Sequence, residues 1–343
     1  MVGDIVGGRA STTTCAALLA VLLGVLGTSL PVPLVALGPG PTYDTLGDVD
    51  GAAVVTVAGL PTYPTSGHLN MTTVAVSDRL TLVDVLRAWA SGRRQVVPRS
   101  QVFAPGKTDD QVRDENTQQF ATSETNAELA ALTQLAIPTR VVVGAVVPDS
   151  PAAGALRAGD ELVTVSGRSV ASPSAVAEAL AGTTPGQSIT VTYRRDGQDR
   201  SAALALGASA DRRQGLLGVR PAVEPRSGDV TISLGDIGGP SAGLMFALAV
   251  VDKLSPGPLT GGRFVAGTGA IDGAGRVSPI GGIPFKMRAA RDAGATVFLV
   301  PDANCAEAAA NTPDGLRLVR VTALDDAVRQ LRALDAGTPT ASC

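Results

Sequence analysis

The chain has 343 residues, enough for two modest domains and an appendage, with 45% hydrophobic and 17% charged residues and a net charge of −3. That balance supports sizeable cores, aliphatic because aromatics are only 3%, and it argues against a nucleic-acid partner, since no Lys/Arg stripe with interleaved aromatics occurs. No Cys/His pair stands at metal-ligand spacing and no Gly-x-x-x-x-Gly-Lys-Ser/Thr loop is present, so no metal, nucleotide or other cofactor is expected.

In chain order, residues 10–43 contain no charge, and residues 15–30 are almost wholly apolar. This approaches the span of a membrane helix, expected over residues 13–37 behind a short cytoplasmic tail, residues 1–12. A cleaved signal peptide competes with that reading, but no A-x-A-like site follows the apolar core. Arg9 precedes the segment, while Asp44, Asp48 and Asp50 follow it. That asymmetry places the N-terminus in the cytoplasm and the bulk of the chain across the cell membrane, outside it. Residues 34–43, Leu-Val-Ala-Leu-Gly-Pro-Gly-Pro-Thr-Tyr, read as a stiff, turn-rich exit.

Residues 52–57 and 68–76 read as strands and residues 82–90 as a helix. A further helix begins at Ser123-Glu124-Thr125-Asn126-Ala127, with Leu129, Leu132 and Leu135 on one face. These elements form a region spanning residues 38–137. A β-rich unit then covers residues 138–207, with strands at 141–147 and 189–194, a helix at 174–180 and an Asp196-Gly197 hairpin. Residues 208–336 alternate helix and strand, a mixed α/β (α+β) pattern ending in a tail, residues 337–343. Cys305 and Cys343 both fall on the oxidising side of the expected membrane; a disulfide and two free thiols are equally open.

The chemistry concentrates at Gly239-Pro240-Ser241-Ala242-Gly243, which opens the apolar run 244–251. Serine at a helix start is ordinarily an N-cap. It also sits beside unpaired N–H groups and the positive end of the helix dipole, where an oxyanion is stabilised; the N–H groups from Gly239 to Ala242 are the candidate donors. A nucleophile also needs a base. The chain has one histidine, His68, in a Thr/Pro-rich stretch, and arginine stays charged at any useful pH. Of the lysines, Lys107 lies in a polar loop and Lys253 is about 18 Å along the Ser241 helix. Lys286 follows a Gly281-Gly282 turn, with Pro284 at a helix start and Gly294 at its end. A cation is disfavoured there, and burial would bring its pKa from about 10.4 towards roughly 7–8, the range of a general base. The bland alternative is a surface lysine with its stem along the helix.

Gly-Pro-Ser-Ala-Gly followed by Pro279-Ile280-Gly281-Gly282-x-x-x-Lys286 resembles the proteolytic domain of the Lon proteases. The resemblance implies a Ser–Lys dyad, with Ser241 as nucleophile, Lys286 as base, and Thr268 as the threonine that orients the amine. Gly239, Pro240 and Ala242 would shape the turn around the nucleophile. Ala270 stands where the ATP-dependent members have Glu, and Gly238 where they have Asp. Gly67-His68-Leu69-Asn70-Met71-Thr72-Thr73 and the helix after it resemble the opening strands of that domain, which would make the unit 138–207 an insertion. Ser150-Pro151-Ala152 and Gly159-Asp160-Glu161-Leu162 in turn resemble a PDZ domain of the bacterial protease type. Such a domain adds an extended peptide as a strand, here expected near Arg140, Val141 and Val142, although no Gly-Leu-Gly-Phe-like loop accompanies them.

The implied protein is an ATP-independent, membrane-anchored serine endopeptidase whose PDZ-like unit recruits peptide tails or regulates access. Its partners would be protein or peptide substrates and the membrane, with a homo-oligomer open. Two other classes stay open: a peptide-binding module with an inactive protease-like domain, and an esterase or acyl hydrolase.

Overall fold

The computed structural model describes residues 18–19, 21–22, 24–103, 106–208, 213–235 and 239–343. The expected cytoplasmic tail and the start of the expected membrane helix lie outside the described residues, as does Gly238. Residues 24–29 are helical, and Pro31 and Pro33 end that helix. Residues 34–37 correct the expected boundary: they begin the strand Leu34–Asp44, with Val35 and Ala36 buried in the body of the protein. Among the described residues, no helix is long and apolar enough to cross a membrane.

The same strand overturns the reading of residues 34–43 as a turn-rich exit. Leu34–Asp44 pairs antiparallel with His68–Ser77 and with Gln95–Pro98. Its Gly-Pro-Gly-Pro sequence is absorbed by a register shift between Pro39 and Thr42, where missing proline N–H groups leave the ladder irregular. Gly40 permits the close approach, because a Cβ there would lie 2.4 Å from Thr73 Oγ1.

Six strands form one mixed sheet in the order Arg317–Val321, Val297–Pro301, Phe264–Gly267, His68–Ser77, Leu34–Asp44, Gln95–Pro98. The pairings among the first four are parallel and the last two antiparallel. The N-terminal strands and the C-terminal α/β half therefore build a single sheet. Side-chain alternation splits the core between its faces. Val265, Val297 and Leu299 pack against helix Gly243–Leu254, apolar from Leu244 to Val251, whereas Ala266, Phe298 and Val300 pack against Ile283–Asp292. The helices that begin near Ser241 and Lys286 thus lie on opposite faces of one sheet.

Helix Asp109–Gln134 begins fourteen residues before the expected start at Ser123, with Thr108 and Gln111 forming a capping box. Its first half is polar and has no apolar stripe to betray it; from Phe120 onward Ala127, Ala130, Ala131 and Leu132 enter the core, and Phe120 meets Phe246 edge-on at 5.6 Å. On this helix burial, together with the carboxylates of Asp229 and Glu224, pushes the Glu128 carboxyl up to about 8, and Oε1 makes no hydrogen bond among the described residues. A carboxyl whose folded pKa lies above its unfolded value holds its proton better in the folded chain, so stability falls as pH rises from about 4.5 through about 8. Glu128→Gln should therefore raise the thermal midpoint by a few degrees near pH 9 and leave it unchanged near pH 5, as read by circular dichroism melts.

The second sheet runs in the order Gln198–Ala205, Ser188–Arg195, Glu161–Val165, Thr139–Val146, Val219–Pro225, and helix Pro173–Leu180 closes its core. The β-rich unit thus extends past residue 207 to Pro225, because its last strand returns only after the segment 208–218. The chain then rejoins the first body through Asp229–Ile232, paired with Val55–Ala58. At the far end, Cys305 and Cys343 are disulfide-bonded, and the tail is further held by the Arg320 N–H donating to the Ala341 carbonyl at 3.1 Å.

Candidate active site

Ser241 and Lys286 lie forty-five residues apart and meet at the carboxyl end of strand Phe264–Gly267. The sheet face that each helix covers explains why both helix starts reach this point, the usual place for chemistry in open α/β sheets. Lys286 Nζ donates to Ser241 Oγ at 2.7 Å, to Thr268 Oγ1 at 3.0 Å and to the Thr72 carbonyl at 3.1 Å. All three ammonium protons are thereby used, although only 3% of the side chain's residue surface is exposed. Burial lowers the Lys286 pKa to about 8, because the charged amine loses water there.

The backbone around the pair is tightly determined. Gly282 caps the Lys286 helix at φ 76°, the left-handed region, and a Cβ there would lie 2.6 Å from Val74 Cγ2. The turn Pro240–Ala242 precedes the Ser241 helix proper. Thr268 Oγ1 donates to the Ser241 carbonyl at 3.0 Å, and the Gly269 N–H donates to the same oxygen at 2.9 Å. Thr268 thus fixes the serine backbone and accepts from the lysine with one hydroxyl. Thr268→Val should lower kcat by on the order of 10–100-fold with little change in KM, a loss of alignment that steady-state kinetics would detect.

The expected oxyanion donors need revision. The Gly239 N–H donates to the Asn116 carbonyl at 3.2 Å, and Pro240 has no N–H. From the stretch 239–242, Ser241 and Ala242 remain as donors. Ser123, expected at a helix start, instead sits mid-helix and donates from Oγ to the Pro240 carbonyl at 3.2 Å. Helix Asp109–Gln134 therefore braces the serine turn from outside through Asn116 and Ser123. Thr72 acts through its backbone carbonyl, which the pairing of Met71 with Gly267 brings to the lysine, and no sequence signal marks it.

The competing bases are engaged elsewhere. His68 Nδ1 is 2.6 Å from Asp44 Oδ2, and Lys107 donates to Glu115 at 2.6 Å. Lys253 ends the helix that Ser241 precedes.

Arg140, Val141 and Val142 do not offer the expected peptide edge. Val223 and Ala222 pair with Val141 and Val142 on one side, Glu161 pairs with Val142 on the other, and Arg140 is salt-bridged to Glu224 at 2.8 Å. Val219–Pro225 is one outer edge of this sheet, beside helix Pro173–Leu180, and Gln198–Ala205 is the other. The glycine-flanked Gly215-Leu216-Leu217-Gly218 before that strand was the available sequence signal.

Two family models match the chain. Residues 110–206 match the PDZ domain family and residues 233–333 the Lon protease (S16) C-terminal proteolytic domain. The chain is 43% identical over 95 residues to a Lon protease of Heliobacterium modesticaldum, covering 27% of this chain and 11% of that protein. It is 38% identical over 95 residues to a Lon protease of Clostridioides difficile, covering 27% and 12% respectively. The chain thus spans about a tenth of the length of these relatives. The crystal structure of the PDZ domain of an SdrC-like protein from Listeria innocua aligns over 23% of this chain and 90% of that one, at 26% identity and TM-score 0.22. The family match marks residues 233–333 as similar to the Lon proteolytic domain, a serine-protease module.

Proposed function

We propose that this chain is a serine endopeptidase that works through a Ser241–Lys286 dyad without ATP. The observation that carries the reading is the 2.7 Å contact between a buried, pKa-lowered Lys286 and Ser241 at a helix start. Neutral Lys286 takes the Oγ proton as Oγ attacks the peptide carbonyl carbon, and the N–H groups of Ser241 and Ala242 receive the oxyanion. As the C–N bond breaks, the Lys286 ammonium returns that proton to the departing amine. Water then hydrolyses the acyl-enzyme with Lys286 again as base. Thr268 and the Thr72 carbonyl hold Nζ in line throughout.

The PDZ unit would recruit an extended peptide as an added strand on the outer edge of Val219–Pro225. The uncharged N-terminal stretch around residues 15–30 would seat the chain in the cell membrane, with the protease outside the cytoplasm. The test is degradation of an unfolded protein in the absence of nucleotide, with Ser241→Ala as control. Cleavage by the parent chain and none by the variant is expected; no cleavage by the parent, or equal cleavage by both, contradicts the reading.

A further inference from the structure

Helix Leu82–Ala90 has an apolar face wider than the body of the protein covers. Val85 and Ala88 pack inward with Ala36 and Leu80. Leu82, Leu86 and Trp89, spaced to share the adjoining stripe, are 50%, 54% and 77% exposed. The apolar N-terminal segment arrives at this stripe. Leu26 and Leu30 of that segment are themselves exposed, a Cβ on Gly27 would lie 3.9 Å from Leu82 Cδ2, Pro31 forms a β-bridge with Thr81, and the Val32 N–H donates to the Leu80 carbonyl at 2.8 Å. The exposed stripe and the apolar segment therefore make one continuous surface.

We infer that helix Leu82–Ala90 lies on a lipid surface, with Leu82 and Leu86 among the acyl chains and Trp89 at the headgroup level. The inference rests on the proposal that the N-terminal segment is seated in lipid. Continuity with that uncharged segment selects lipid as the occupant, because whatever surrounds residues 24–30 also meets Leu82. Trp89 fits the boundary, with an apolar ring and an N–H that needs a polar partner. The consequence is a fixed orientation: the anchor and the helix together act as two attachments, which set how the protease body stands on the membrane.

Trp89 is the only tryptophan in the chain, so its fluorescence reports this surface alone. The full chain is reconstituted into vesicles of phosphatidylcholine and phosphatidylglycerol in equal parts, with phosphatidylcholine brominated high on the acyl chain substituted in a parallel sample. A blue shift on reconstitution and strong quenching by the brominated lipid are expected. Chain that stays with the vesicles while Trp89 emits as in water overturns the inference and leaves the anchor standing. A blue shift without bromolipid quenching assigns the stripe to a protein partner or to another part of this chain, and also overturns it. Chain that does not associate with vesicles at all removes both the anchor and the inference.

Discussion

Lys286→Met should abolish peptide-bond cleavage, by on the order of 10³-fold or more, while making the folded protein more stable near pH 7. The two halves of this expectation share one cause. A lysine held to a pKa of about 8 by burial pays for its position with on the order of 3 kcal/mol while it is charged, and methionine fills similar space without the charge. Loss of activity with a raised thermal midpoint cannot be put down to a damaged fold. Because nucleophile and base act as a unit, Ser241→Ala combined with Lys286→Met should be no slower than either variant alone. Steady-state rates and melts on three variants decide the matter.

The pH profile carries the second large effect. With Lys286 at about 8, only about one-tenth of the protein holds the neutral amine at pH 7. The rate kcat/KM should therefore climb about tenfold per pH unit below 8 and flatten above it. Stability moves with the same sign for a different reason. Between about 8 and the ordinary lysine value of 10.5 the unfolded chain binds the proton and the folded one does not, so the Lys286 contribution to stability rises with pH across that window. Glu128 and Glu124, pushed up to about 8 and about 7 by burial, act in the opposite direction at lower pH. Activity is thus expected to be highest on the alkaline side, where Glu128→Gln offsets the stability lost to buried carboxylates. A flat kcat/KM from pH 6 to pH 9 would rule out Lys286 as the group that titrates.

Much of the fold was legible because its signals are local. Helix Leu82–Ala90 was legible from its apolar spacing, and the Lys286 helix from Gly282 and Pro284. What could not be read was long-range. Leu34–Asp44 carries two prolines and two glycines, and becomes a strand only because His68–Ser77 and Gln95–Pro98 flank it. The same is true of Val219–Pro225, which closes the second sheet from beyond the expected boundary and takes the edge assigned to a peptide at Arg140–Val142. The first half of helix Asp109–Gln134 has no apolar stripe; the helix touches the serine turn through the Asn116 carbonyl and the Ser123 hydroxyl, and no spacing rule links these to residues 239–240. In the candidate site the side chains with distinctive chemistry were visible as Ser241, Lys286 and Thr268. The backbone partners, Thr72 above all, were not, because any residue type supplies a carbonyl.

The most direct test of the dyad is covalent. A fluorophosphonate probe is added to the intact chain without nucleotide, the modified residue is located by mass spectrometry, and the labelling rate is followed against pH in the parent chain and in Lys286→Met. The account predicts a single adduct on Ser241, formed at a rate that rises to a plateau above about pH 8 and that falls by orders of magnitude in the variant. An adduct at another residue, or labelling of Ser241 at an undiminished rate without Lys286, would contradict it.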